Sequence, residues 1–261
     1  MIARQETILA LARQQGRVLV DDLARRLSIT PQTVRKDLRL LEEEGLVTRF
    51  HGGASLRAGS AYLDYGTRAG IAAREKQAIG AAAAAMLRPG QTVFLNAGTT
   101  TEAAARAMGQ VAGLTVIADS VNIANITRQI PGLTTIVAGG VVRPADGSVV
   151  GAGAVSFIGQ FSADVALIGA AAVGPDGTLM DYDLDQVMVA RAMMQHARRV
   201  VLLVDGAKFD ASAPVRIAPL GELSAIVTDI CPSATVRAAC AAAGVELVEL
   251  KRESEVAARS A

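Results

Sequence analysis

The sequence predicts a two-domain protein: an N-terminal winged helix-turn-helix, mainly α-helical, and a C-terminal α/β domain with a mostly parallel sheet. Three short helical segments occupy the first 45 residues, and a short apolar strand with a Gly-Gly turn follows them. From residue 92 onward, apolar strand patterns alternate with helical stretches. A chain of 261 residues is long enough for two domains. We expect the winged helix at 1–57, a linker at 58–73 and the α/β domain at 74–261.

The composition favours a soluble, cytoplasmic protein. Hydrophobic residues make up 51% of the chain and aromatic residues 3%, so the core is expected to consist mainly of Ala, Val, Leu and Ile. No run approaches the roughly 18 uncharged apolar residues of a membrane span. Glu6 interrupts the amphipathic N-terminus, unlike the apolar centre of a signal peptide. Cys231 and Cys240 have no CxxC spacing and no nearby His, which predicts buried free thiols.

Positive charge is concentrated at the front of the chain. Residues 1–57 contain ten Lys and Arg against seven Asp and Glu, whereas the remainder contains sixteen against eighteen. In this first part we expect a helix around Glu6–Gln14 and a second helix in VDDLARRL, whose two Asp residues suit the positive end of the helix dipole.

The third helix, within SITPQTVRKDLRLLEEEG, has clear start and stop signals. Thr30 is a good N-cap, Pro31 fits the first helical position, and Gly45 can end the helix. An apolar stripe at helical spacing faces inward: Val34, Leu38 and Leu41. The opposite face is polar and basic: Gln32, Thr33, Arg35, Lys36 and Arg39. Such a polar and basic face on the second helix of a helix-turn-helix pair is typical of a recognition helix in the major groove. There Arg and Gln suit base edges, and Lys36 and Arg39 suit phosphates.

A wing is expected after the recognition helix. Leu46–Phe50 predicts a short strand and Gly52-Gly53 a hairpin turn, which places Arg49 and His51 where they could reach the DNA backbone or the minor groove. His51 is as well explained by a structural role as by a DNA contact.

The segment TPQTVRKDLRLLEEEGLVTRFHGGA, with the helix ahead of it, closely resembles the DNA-binding domain of the DeoR family of bacterial repressors. This resemblance implies a DNA-binding regulator whose partner is double-stranded operator DNA. The candidate DNA-binding residues are Thr30, Gln32, Thr33, Arg35, Lys36, Arg39, Arg49 and His51.

The second domain contains six candidate strands: TVFLNA, LTVIAD, TTIVAGG, VALIGA, RVVLLVD and AIVTD. They are continuous apolar runs, as expected for parallel strands covered on both faces. Ligands of open α/β sheets bind beyond the carboxyl ends of the strands. At one such end, Gly98-Thr99-Thr100 opens a helix and could surround an anion with amides and hydroxyls, while Arg143 and Lys208 could supply countercharge.

The candidate effector-binding residues all follow strand ends: Asn96, Gly98, Thr99, Thr100, Thr101, Asp119, Ser120, Asn122, Gly139, Gly140, Arg143, Asp181, Asp183 and Lys208. Asp181, Asp183 and Asp185 form a carboxylate cluster, but Gln186 and Ala192 stand where a calcium loop needs Gly and Glu. Asp181 and Asp183 are expected either to cap the following helix or to accept hydrogen bonds from ligand hydroxyls. We expect no metal and no cofactor.

The DeoR resemblance extends over this domain through NAGTTTEAAARAM, DSVNIAN, AGGVVRPADGSVVG and VDGAKFDASAPVRI. It implies a fold similar to ribose-5-phosphate isomerase and CoA transferases, and a sensor of phosphorylated sugars or their breakdown products. GTLMDYDLDQVMVARAMM looks most like the branch of the glycerol-3-phosphate repressor and the sulfoquinovose regulator. A phosphorylated sugar or polyol and a sulfonated sugar are therefore both open as the effector.

Two classes of function compete: a ligand-responsive repressor and a sugar-phosphate enzyme with a DNA-binding appendage. Isomerisation needs a carboxylate base near the substrate, but the corresponding strand ends in IGAAAVGPDG without a carboxylate pair. No nucleophilic Glu in a glycine-rich setting is evident either. We therefore expect a repressor, not an enzyme, acting as a homodimer or homotetramer because one winged helix reads only a few base pairs.

Overall fold

The computed structural model describes residues 3–15, 17–44, 46–50, 52–56 and 65–250. It divides into two compact units, residues 1–73 and 74–261, and each has a hydrophobic core of its own.

The N-terminal unit consists of helices packed on a small antiparallel sheet with strand order β1-β3-β2. Its elements are α1 (Ala3–Gln15), β1 (Arg17–Leu19), α2 (Val20–Leu27), α3 (Pro31–Glu43), β2 (Val47–Phe50), β3 (Gly53–Leu56) and α4 (Tyr65–Gly70). The three predicted helices and the two-stranded wing are present, whereas β1 was not predicted because it is only three residues long and has no apolar run of its own. Part of the predicted linker, residues 65–70, is helical.

Helix α3 begins where its capping residues predict. The Thr30 side chain accepts a hydrogen bond from the amide of Thr33, and Pro31 occupies the first helical position. The stripe of Val34, Leu38 and Leu41 is buried in the core between α1, α2 and the sheet. Gly45, the expected terminator, lies outside the described residues.

The C-terminal unit is a doubly wound α/β domain. Its elements are α5 (Ala73–Ala85), β4 (Thr92–Leu95), α6 (Thr99–Ala107), β5 (Thr115–Ala118), α7 (Val121–Thr127), β6 (Thr134–Val137), β7 (Val141–Val142), β8 (Val149–Val150), α8 (Ala152–Ile158), β9 (Ala163–Gly169), β10 (Ala172–Val173), β11 (Leu179–Asp181), α9 (Leu184–Gln195), β12 (Ala197–Leu203), β13 (Val215–Ala218), β14 (Ala225–Thr228), α10 (Ala234–Ala243) and β15 (Glu246–Glu249). Seven strands form one parallel sheet in the order β15-β14-β12-β9-β4-β5-β6, which confirms the predicted sheet.

The strand order fixes a switch point between β4 and β9. From β4 the chain winds to β5 and β6 on one side, and from β9 it winds to β12, β14 and β15 on the other. The connections that follow β4 and β9 therefore leave a crevice at their carboxyl ends, which is where open α/β sheets bind ligands.

Alternate strand residues supply two cores, one on each face of this sheet. Phe94 and Ile168 belong to the core that packs against α8, α9 and α10. Leu95 and Leu167 belong to the core that packs against α5 and α6. Burial on both faces explains why the strands read as continuous apolar runs.

A second, antiparallel sheet of β10, β11 and β13 covers part of the first face. Its strands are two to four residues long, too short for a sequence pattern, and they were not predicted. The edge strand β15 was also missed, since Glu246 and Glu249 interrupt its apolar run. Both cysteines are free and buried as predicted, and burial raises the pKa of each thiol.

Helices α5 and α6 meet backbone to backbone at Gly80. A Cβ atom at this position would lie 2.5 Å from the backbone of both Ala103 and Ala104. No side chain can occupy that space, so the two helices touch without a side chain between them. Within the described parts of the chain, no helix has the length and apolar character required to span a bilayer.

Candidate functional site

The polar face of α3 forms an exposed surface opposite its buried stripe. Gln32, Arg35, Lys36 and Arg39 are exposed, while Thr33 is half-buried beside the cap. The Thr30 hydroxyl lies 2.9 Å from that of Thr33, so these two residues serve the helix start. Gln32, Arg35, Lys36 and Arg39 are thus the members of the predicted set that a groove of DNA could reach from this helix.

Carboxylates of α3 hold some of the nearby arginines. Glu42 accepts from the Arg49 amide at 2.9 Å and pairs with its Nε at 3.0 Å, which fastens the first wing strand to the recognition helix. Arg39 lies 3.7 Å from Glu43 in an exposed pair. Arg35 and Lys36, by contrast, form no ion pair or hydrogen bond with the described residues.

These side chains surround one concave surface of about 750 Å³. It is lined by Arg4, Gln5, Thr30, Gln32, Thr33, Arg35, Lys36, Asp37, Arg39, Leu40 and Arg49. Seven of the eight predicted DNA-binding residues therefore lie together, and His51 lies outside the described residues. Arg4, Asp37 and Glu42 were not predicted. A signal existed for Asp37, because a carboxylate buried beside the apolar stripe of a helix needs a cationic partner.

In the second unit, Asn96 lies at the switch point. Its Oδ1 accepts from the Gly169 amide at 2.7 Å, and its Nδ2 donates to the Gly169 carbonyl at 3.1 Å. Asn96 is 7% exposed, so its amide serves the junction of β4 and β9 in this structure.

The turn that starts α6 has an inner and an outer side. The buried Thr101 hydroxyl donates to the carbonyls of Asn96 at 2.7 Å and Gly98 at 2.8 Å, which stabilises the turn from within. Gly98 is extended, with φ of 169°, and a Cβ there would lie 3.1 Å from the Thr101 hydroxyl. Thr99 and Thr100 lie in the first turn of α6, where their amides add to the positive end of the helix dipole.

Asp119 follows β5 and bonds to this turn. Its Oδ1 accepts from the Ala97 amide at 2.6 Å. Desolvation by burial raises the pKa of Asp119 to about 8, an effect that hydrogen bonds from Ala97 and its own amide only partly offset. The neighbouring Ser120 is buried and caps α7 by accepting from the Ile123 amide. A carboxyl group with this pKa is mostly uncharged at neutral pH, so it would repel an anionic ligand little.

The segment from Gly139 to Asp146 is tied down by side chains. Arg143 pairs with Asp183 at 2.8 Å, and Asp183 also caps α9, which confirms the capping alternative for this residue. Asn122 donates to the Asp146 carbonyl at 3.0 Å. Gly139 and Gly140 are both exposed, and a Cβ atom at Gly140 would lie 2.7 Å from the Val150 carbonyl oxygen.

Gln186 extends these ties to α9. Its Nε2 donates to Asp146 Oδ2 at 2.8 Å and to the Ser148 hydroxyl at 2.9 Å. Gln186 also lines a small cavity of about 10 Å³, roughly the room for one water, together with Asn96, Asp119 and Asp181. The structure therefore brings three predicted effector residues, Asn96, Asp119 and Asp181, around one cavity. No three His, Cys, Asp or Glu side chains of the described ranges are grouped to hold a metal ion.

Lys208 does not line this cavity. It ends the 3-10 turn Gly206–Lys208 after β12, is half-buried and makes no ion pair with the described residues. In the same turn, Asp205 is 2% exposed; its Oδ1 accepts from the Ala207 amide at 3.1 Å, while its Oδ2 has no hydrogen-bond partner among the described residues. Asp205 was not among the predicted effector residues, although it follows an apolar strand as they do.

A winged helix with an exposed basic recognition helix, in one chain with a parallel α/β domain whose strand ends carry ligand-type turns, defines a DNA-binding regulator with a sensor domain. Residues 4–58 match the DeoR-like helix-turn-helix domain, and residues 71–230 match the DeoR C terminal sensor domain. The chain belongs to the DeoR family of transcriptional regulators, as its sequence motifs predict.

Curated relatives agree with this assignment. The HTH-type transcriptional repressor CsqR of Escherichia coli K12 is 34% identical over 94% of each chain. The glycerol-3-phosphate regulon repressor of the same organism is 34% identical over 89% of this chain and 92% of the relative. The HTH-type transcriptional repressor GlcR of Bacillus subtilis 168 is 29% identical over 96% of each chain. All three are named repressors, which confirms the prediction of a repressor and not an enzyme.

More distant likenesses in fold are found among solved structures. Ribose 5-phosphate isomerase A of Methanocaldococcus jannaschii has 16% identity, a TM-score of 0.40, and coverage of 53% of this chain and 55% of its own. The full-length sorbitol operon regulator SorC of Klebsiella pneumoniae has 13% identity, a TM-score of 0.39, and coverage of 87% and 97%.

Proposed function

We propose that this repressor controls a carbohydrate or glycerol catabolic operon and that a small phosphorylated sugar or polyol modulates its affinity for the operator. The names of its relatives support the class of target: one is a glycerol-3-phosphate regulon repressor, and another is a putative aga operon repressor. It acts where the operator lies, so the proposed location is the cytoplasm. The unit of binding is a homodimer or homotetramer, because repeated half-sites provide the specificity that one winged helix lacks.

The effector binds, in this proposal, at the carboxyl edge of the parallel sheet near the switch point. The observation that carries it is the turn at the start of α6, which presents Thr99 and Thr100 at a positive helix end beside an Asp119 whose pKa is raised to about 8. Amides and hydroxyls at a helix start bind tetrahedral oxyanions well.

Of the two predicted cations, Lys208 is the one that can bind an anion without breaking an ion pair with the described residues. Arg143, the other predicted cation, is engaged with Asp183, so binding an anion there would compete with that ion pair. The buried Asp205 suits a ligand hydroxyl, because its Oδ2 accepts no hydrogen bond from the described residues. An anionic group near α6 and hydroxyl groups near Asp205 are the features of a sugar or polyol phosphate.

A sulfonated sugar such as sulfoquinovose is the second candidate. A sulfonate is also a tetrahedral oxyanion, but it has one negative charge where a phosphate monoester has up to two. The observation that favours it is that Asn96, Asp119 and Asp181 around the switch-point cavity carry no positive charge, so Lys208 would be the one cation for a singly charged ligand.

A thermal-shift screen of the full chain tests both candidates. The panel contains glycerol-3-phosphate, pentose and hexose phosphates and sulfoquinovose, with inorganic phosphate and sulfate as controls for the anion alone. A ligand at 100 times its Kd stabilises by about 2.7 kcal/mol, enough to raise the Tm visibly. The Lys208→Ala variant should lose the shift, while Arg128→Ala, which removes an exposed cation at the C-cap of α7, should keep it. A shift that survives Lys208→Ala would contradict the assigned site, and no shift with any organic anion would contradict the proposed effector class.

A further inference from the structure

One ion pair, between a buried carboxylate and a partly exposed arginine, joins α1 to the recognition helix. Asp37 of α3 is 2% exposed, and Arg4 of α1 reaches it with two hydrogen bonds, Nε to Oδ2 at 2.6 Å and Nη2 to Oδ1 at 3.0 Å. Two parallel bonds to one carboxylate fix the plane of a guanidinium group as well as its position.

The remainder of Arg4 is available to another partner. Its side chain is 37% exposed, and Nη1 has no hydrogen bond to the described residues. The same side chain lines the concave surface that contains Gln32, Lys36 and Arg39 of the recognition helix. The guanidinium group is thus held by a buried carboxylate through Nε and Nη2, while Nη1 remains open to this surface. Such a group is pre-oriented to bind an anion.

We propose that Arg4 binds a phosphate of the operator backbone and that Asp37 is its positioning residue. Arg4 comes from α1, whereas the base-reading residues come from α3, so the contact would fix the angle at which α3 lies in the major groove. Contacts of this kind set register and orientation and are independent of base sequence. The proposal rests on the DNA-binding function of the winged helix but not on any effector.

Asp37 distinguishes positioning from simple attraction, because the two ideas predict opposite signs. Asp37→Asn removes a negative charge close to the DNA, and by charge alone it should tighten binding. If Asp37 acts by orienting Arg4, the same substitution should weaken binding about threefold or more although the net positive charge has increased. In the Arg4→Ala background, Asp37→Asn should then weaken binding no further, since the residue that it orients is gone.

The experiment measures binding of the full chain to a mixed-sequence duplex of about 30 base pairs by fluorescence anisotropy from about 50 to 200 mM KCl. Loss of one phosphate contact makes the negative slope of log K against log salt shallower by about 0.9. For Arg4→Ala, the ratio of the affinities at these two salt concentrations should therefore shrink about three- to fourfold. Arg4→Lys keeps the charge but not the two parallel bonds, so its affinity for the duplex should lie between those of the wild type and Arg4→Ala. Arg128→Ala removes an equal charge from the sensor domain and should leave the slope unchanged.

A purely structural role for the pair gives a different pattern. Arg4→Ala would then lower the Tm but, below its melting range, would bind DNA with the wild-type salt slope, and that result would overturn the proposal. Tighter binding by Asp37→Asn would overturn it as well. If Arg4→Ala does not fold, as judged by circular dichroism, Arg4→Gln takes its place, because glutamine can still donate one hydrogen bond to Asp37.

Discussion

The side chain of Asn96 pairs with both backbone polar groups of Gly169, accepting from its amide and donating to its carbonyl. These two bonds extend the hydrogen bonding between β4 and β9 beyond the last backbone pair, Leu95 with Leu167, through a side chain. If the effector binds at the switch point as proposed, it meets a closed junction there, and opening that junction requires Asn96 to give up its two hydrogen bonds to Gly169 or to move together with Gly169.

Replacing Asn96 should therefore cost stability as well as function. Asn96→Ala leaves the amide and the carbonyl of the half-buried Gly169 without this partner, and we expect a loss of about 1–3 kcal/mol in the free energy of unfolding. Urea denaturation followed by circular dichroism measures it. Asn125→Ala removes an exposed amide on α7 and should stay within about 0.5 kcal/mol of the wild type. Equal stability of Asn96→Ala and the wild type would show that the junction does not depend on this side chain.

Thr30 should contribute to stability through its cap. Its hydroxyl accepts from the Thr33 amide at 3.2 Å, so Thr30→Ala is expected to lower the stability of the winged helix by about 1 kcal/mol. Thr30→Ser keeps the accepting oxygen and should restore most of the loss. Thermal melts of the two variants decide this, and a serine variant as unstable as the alanine variant would argue against capping as the reason.

Arg35 is exposed and unpaired among the described residues, and it should act on DNA alone. Arg35→Ala is expected to weaken binding to a duplex selected by the wild-type protein by about 1–3 kcal/mol and to relax the preference at the bases it contacts. The thermal shift produced by the effector should be unchanged, since Arg35 belongs to the other compact unit. Arg128→Ala is the charge-matched control. Loss of both DNA binding and effector response in Arg35→Ala would contradict the separation of the two modules.

Asp119 should make stability depend on pH. Burial raises its pKa from 3.8 to about 8 in the folded chain, so between about pH 4 and pH 8 the folded state holds a proton that the unfolded state has released. The group therefore lowers stability as pH rises through this window; the penalty is absent below about pH 4 and complete above about pH 8. Asp119→Asn keeps an oxygen for the Ala97 amide without a charge. It should gain at least about 1 kcal/mol on the wild type between pH 5 and pH 8.5 in urea melts.

Asp185→Asn, an exposed carboxylate in the first turn of α9, is the control for that experiment. A difference between Asp119→Asn and the wild type that stays constant across the pH range would contradict the raised pKa of Asp119.

Local signals in the sequence predicted most of the fold. The cap at Thr30, the stripe of α3 and the apolar runs of the six main strands are written within a few neighbouring residues, so periodicity and capping chemistry suffice to find them. Strands β1, β10, β11 and β13 were missed because each is short and exists only through its partner. The edge strand β15 was missed because glutamates break its pattern.

The candidate site was less predictable, because its contacts join residues far apart in the chain. Strand ends predicted three residues that the structure brings together, since Asn96, Asp119 and Asp181 line one cavity. Nothing in the sequence indicated that Arg143 would pair with Asp183 across 40 positions, or that Asn96 would pair with Gly169. Arg4 and Asp37 likewise become partners only when α1 packs on α3.

The direct backbone contact at Gly80 should make α5 and α6 move together as one rigid unit. Side chains between packed helices can change rotamer and absorb a shift, but here the Ala103 and Ala104 backbone is met directly by that of Gly80. We therefore expect a displacement of the turn that starts α6 to move α5 as well. Helix α5 is the first helix of the sensor domain, and it follows the winged-helix unit in the chain.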